Sequence, residues 1–86
     1  MQVHEFEAAV YELEGIVLII RAKAQDLVSN YSYKNKADQT WTISEWKKKR
    51  IDQCVAGNEY IILDGNLEHA HGGTKLANLR ASYSKK

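Results

Sequence analysis

The 86 residues predict a small single-domain α+β protein covering 1–86, and three observations carry that prediction. Residues 43–56 have the period and end signals of an amphipathic helix. Two short apolar runs, 16–20 and 60–63, have the composition of buried strands. No proline and no low-complexity linker divides the chain. A domain of this size buries only about 60–65% of its unfolded surface, so the core is modest and a homodimer would support it.

The helix is the best-marked element. Thr42 precedes Glu45 by three residues, the spacing at which a hydroxyl accepts a first-turn amide while the carboxylate reaches back to the cap amide. Ile43, Trp46, Ile51, Cys54 and Val55 share one face, and Gly57 offers the positive φ that commonly ends a helix. The outer face carries Lys47, Lys48, Lys49 and Arg50, four consecutive cations.

The N-terminal stretch fits two periods. Phe6, Ala8 and Val10 suit the inner face of a strand with Glu5 and Glu7 outside, whereas Val3, Phe6, Val10 and Leu13 suit a helical stripe. The β-branched run Ile16–Ile20 follows Gly15, so a turn over 12–15 makes residues 3–11 its antiparallel partner in an N-terminal β-hairpin. The competing arrangement is a helical hairpin broken at Gly15.

After the central helix, residues 59–63 predict a strand that leaves through Asp64-Gly65-Asn66, strong turn chemistry. Leu76, Leu79 and Tyr83 then fall at helical steps behind Thr74, which predicts a short C-terminal helix and a frayed tail over 84–86. Between strand and helix, residues 29–40 are polar and predicted mobile, with Tyr31 and Tyr33 as isolated aromatics.

Composition narrows the function. The single Cys54 forms no internal disulfide and falls on the apolar helix face. The longest apolar run is five residues, against about 20 for a membrane span. Glu5 and Glu7 stand where a secretory signal needs basic and apolar residues, so the expectation is a cytoplasmic protein without membrane contact. Net charge is +1, but residues 1–26 carry five acids against Arg21 and Lys23, whereas residues 27–86 carry ten bases against six acids.

Three groups of residues have the chemistry of a site. Lys47, Lys48 and Arg50, with Lys34, Lys36, Tyr31, Tyr33 and Trp41, make a candidate cationic and aromatic surface for a partner protein or single-stranded nucleic acid. The same cations also suit an ordinary solvated helix face. Gly72 and Gly73, before a helix start and near Lys75 and Arg80, are a candidate anion-binding loop, although the Walker spacing is absent. His69 and His71 would share one side of a strand, but no accompanying ligand pattern makes them a metal site.

No nucleophile sits in a catalytic signature and no paired carboxylates stand out. The expectation is therefore a non-enzymatic protein without cofactor, most simply a protein-binding inhibitor or adaptor of the kind carried by phages and mobile elements. Nucleic-acid binding through the basic helix is the alternative. An enzyme using metal or anion chemistry at the His-x-His and Gly-Gly-Thr-Lys segment ranks behind both.

Overall fold

A computed structural model of the chain describes residues 1–23, 25–55 and 57–84. Among these residues, three helices pack around a two-stranded antiparallel sheet in the order α1 (Val3–Glu14), β1 (Val17–Ile20), α2 (Ile43–Val55), β2 (Tyr60–Leu63) and α3 (Leu76–Ser82). The α+β class is as the sequence predicts. The predicted ends at Ala56, Lys85 and Lys86 lie outside the described residues.

The N-terminal stretch is a helix, not the first arm of a hairpin. Its start is fixed by Gln2, whose amide donates to Glu5 Oε1 at 2.9 Å, and Val3 N donates to Asp26 O at 2.8 Å. Val3, Phe6 and Val10 then fill the core at helical steps. Gly15 is not the centre of a strand-to-strand turn but the left-handed cap, at φ 69°, whose amide closes on Tyr11 O at 2.9 Å. The helical period wins because only it buries Val3, Phe6 and Val10 on one side.

The antiparallel partner of β1 is therefore β2, in the register Val17↔Leu63, Leu18↔Ile62, Ile19↔Ile61 and Ile20↔Tyr60. Leu18, Ile20 and Ile62 point into the core. At the edge of β1, Ile20 N donates to Glu7 Oε2 of α1 at 2.8 Å, tying helix to strand.

The expected capping box of α2 is present, with Thr42 N on Glu45 Oε1 at 3.1 Å and Glu45 N on Thr42 Oγ1 at 3.2 Å. Between Trp46 and Ile51 the buried positions step by five, which a straight α-helix cannot keep on one face. The helix answers with a π-helical stretch, Lys47–Ile51, between α-helical turns Ile43–Trp46 and Asp52–Val55, and Asp52 N bonds Lys47 O. Trp46 and Ile51 are both buried as a result.

Residues 29–40 hold no regular element, yet they place Tyr31 and Ala37 in the core. The segment before α3 lies across the entry to α2, with Ile43 N on Thr74 O at 2.8 Å and Leu76 N on Trp41 O at 2.8 Å. No helix among the described residues is long and apolar enough to cross a membrane.

Candidate functional site

Every element except the sheet converges on the carboxylate of Glu14. This side chain is fully buried at the C-terminal end of α1, a position where the helix dipole alone disfavours negative charge. It is satisfied from every side. Arg50 Nη1 of α2 donates to Oε2 at 2.8 Å, and Arg80 Nη2 of α3 donates to Oε1 at 2.9 Å. Ala37 N donates to Oε1 at 2.8 Å, Trp46 Nε1 to Oε2 at 3.2 Å, and the Tyr31 hydroxyl also to Oε2. Arg80 Nε in addition donates to the Glu14 carbonyl at 2.8 Å, closing the end of α1.

The electrostatics follow from those partners. Burial by itself pushes the Glu14 carboxyl upward, but the Tyr31 hydroxyl, the Ala37 amide, the Trp46 indole and the Arg50 charge together hold it below its ordinary value of 4.5. Tyr31 is driven the other way, by burial and then by the adjacent carboxylate, so its hydroxyl stays a proton donor far into alkali.

Arg50 reaches outward from this buried node to the surface. Its guanidinium lies 4.3 Å from the Tyr33 ring centroid and 5.6 Å from that of Trp41, and Lys49 Nζ lies 4.3 Å from Trp41. Tyr33, Arg50, Trp41 and Lys49 thus alternate ring and cation. Tyr33 is fixed further by Gln53 Nε2 on its hydroxyl at 2.7 Å and by an edge-on contact with Tyr31 at 5.0 Å between centroids. Arg50 Nη1 also donates at 2.8 Å to the carbonyl of Asn35, which stands in sequence between the exposed Lys34 and Lys36.

The predicted surface residues therefore divide. Tyr33, Trp41 and Arg50 come together, with Lys34 and Lys36 exposed on either side of Asn35 in sequence and Lys48 exposed on the same helix as Arg50. Tyr31 is buried behind them, and Lys47 turns to Tyr60, its Nζ 5.3 Å from that ring. At the candidate anion loop, Gly73 N donates to His71 Nδ1 at 3.0 Å, Thr74 N to His71 O at 2.9 Å, and Arg80 is engaged by Glu14. Those amides already have partners, and α3 is only seven residues long. His69 pairs across from Leu63, and no group of three or more His, Cys, Asp or Glu able to hold a metal occurs among the described residues.

Glu14 is not among the residues that the sequence marks out as a site. In a turn over 12–15 it would be an ordinary polar residue, but four residues beyond Val10 it sits on the same helical stripe as Val3 and Phe6. A carboxylate on an apolar stripe was the available signal.

Comparison with protein-family models, with curated proteins and with solved structures found no match.

Proposed function

We propose that this is a small non-enzymatic binding protein whose working surface is the Tyr33, Arg50, Trp41 and Lys49 array, and that its partner is an acidic segment of another protein. The observation that carries this is the composition and rigidity of the array. Trp, Tyr and Arg are the residues most enriched at the energetic centres of protein interfaces. Here Arg50 is locked by Glu14 and Asn35, and Tyr33 by Gln53, so little side-chain freedom remains to be lost on association. Exposed Lys34, Lys36 and Lys48 supply a cationic rim that steers an acidic partner.

The charge balance favours protein over nucleic acid. A net charge of +1 and a sequence pI near 7.9 fall short of the strongly basic character, with pI above about 9, of dedicated nucleic-acid domains. A module of this kind acts as an inhibitor or an adaptor, by covering or bridging what it binds.

The test is retrieval from nuclease-treated lysate with the tagged protein, beside a variant carrying Trp41→Ala, Lys48→Glu and Lys49→Glu that keeps the wild-type circular dichroism. The expected result is a discrete protein held by the wild type and lost by the variant. Equal retention by the folded variant, or recovery of nucleic acid alone when nuclease is left out, overturns the proposal.

A further inference from the structure

The π-helical turn of α2 aligns a second pair of residues besides Trp46 and Ile51. Lys47 and Asp52 are five apart, about 140° around a straight α-helix, but the wider turn closed by Asp52 N on Lys47 O brings them towards one column. Both reach Tyr60, the first residue of β2. Lys47 Nζ lies over the Tyr60 ring, and the Tyr60 hydroxyl donates to Asp52 Oδ1.

Around them opens a cleft of about 530 Å³, lined also by Arg21, Glu59 and His69. It is an open depression rather than an enclosed cavity, with a volume in the range of small-molecule sites. Arg21 and Glu59 face each other at 3.5 Å with side chains 71% and 80% exposed, an ion pair so hydrated that either member readily exchanges its partner. The charged groups of the wall are thus two cations, Arg21 and Lys47, and two carboxylates, Asp52 and Glu59. A simple anion entering there meets two carboxylates, and a simple cation meets two basic groups. Only a ligand bearing both charges satisfies both pairs. Burial, and then the neighbouring Asp52, keep the Tyr60 hydroxyl protonated, so it continues to occupy Oδ1 and leaves Oδ2 for an ammonium group.

We infer that this cleft binds a small zwitterion of the α-amino acid class, its carboxylate on Lys47 and Arg21 and its ammonium on Asp52 and Glu59. The inference is independent of the array at Tyr33 and Trp41.

The test is a titration of the ¹⁵N-labelled protein, followed through its backbone amide resonances, with L-alanine, L-leucine and L-glutamine. Propionate and ethylamine serve as the two halves of alanine. The expected result is saturable movement of the Lys47, Asp52 and Tyr60 amides with at least one amino acid, and affinities lower by about tenfold or more for either half. Glu59→Gln, at an exposed side chain that leaves the fold intact, weakens the amino acid by a similar factor, as does Lys47→Met. If none of the three amino acids saturates, or propionate matches alanine, or Glu59→Gln binds as wild type, the inference is overturned.

Discussion

Arg50 Nη1 stands 2.8 Å from Glu14 Oε2 across 36 residues of sequence, and the same guanidinium carries Tyr33 on its other side. The pair connects the buried Glu14 carboxylate to the surface rings of Tyr33 and Trp41. A buried carboxylate is expensive unless it is both paired and hydrogen-bonded, and Glu14 meets that condition only when α1, α2, α3 and the 31–37 segment are all in place. The node makes folding of these pieces interdependent, and the arrangement of the surface array follows from it.

Acid stability should report Glu14. Its carboxyl is held below 4.5 in the folded protein, because the hydroxyl, amide, indole and guanidinium partners outweigh the opposing push of burial. Below that ordinary value the unfolded chain binds more protons than the folded one, so this contribution is complete above about pH 4.5 and disappears as pH falls through the lower folded value. Tyr31 behaves in the opposite sense. Its raised value means that stability is complete below pH 10 and declines as pH rises beyond it. A plot of melting temperature against pH should show a plateau between these limits, and Glu14→Gln should flatten the acid limb. An acid limb of unchanged steepness in the variant would falsify this assignment.

Gly65 is required for a steric reason rather than a conformational one. A Cβ there would stand 1.9 Å from the Ser82 carbonyl oxygen of α3, a backbone atom with no freedom to swing away. Gly65→Ala should therefore destabilise the protein by about 1–3 kcal/mol in urea unfolding, the range of a tight-packing violation. A change within about 0.5 kcal/mol, ordinary for an innocuous surface site, would contradict the close approach of the 64–67 turn to α3.

Much of this fold was legible where the signals were local. The Thr42 and Glu45 box, the apolar face of α2, the β2 run and the Leu76 and Leu79 stripe each depend on neighbours within a few residues. The N-terminal element was not, because Phe6 and Val10 satisfy both periods and the true partner of β1 lies some 40 residues on, beyond any local turn signal. The cationic run was visible in the sequence, but its fate was not. Arg50 turns inward to a carboxylate 36 residues away, while Lys47 and Asp52 share a side only because the helix widens between Trp46 and Ile51. That step of five between buried residues was the one trace of the π-helical turn in the sequence.

The Glu14 carboxylate ties α1, α2 and α3 to the surface array, and urea unfolding of Glu14→Gln at pH 7 measures that tie. With Arg50 and Arg80 left without their shared anion, the variant should lose about 3 kcal/mol or more relative to wild type. A variant within about 1 kcal/mol of wild type would show that the negative charge of Glu14 is dispensable to the fold.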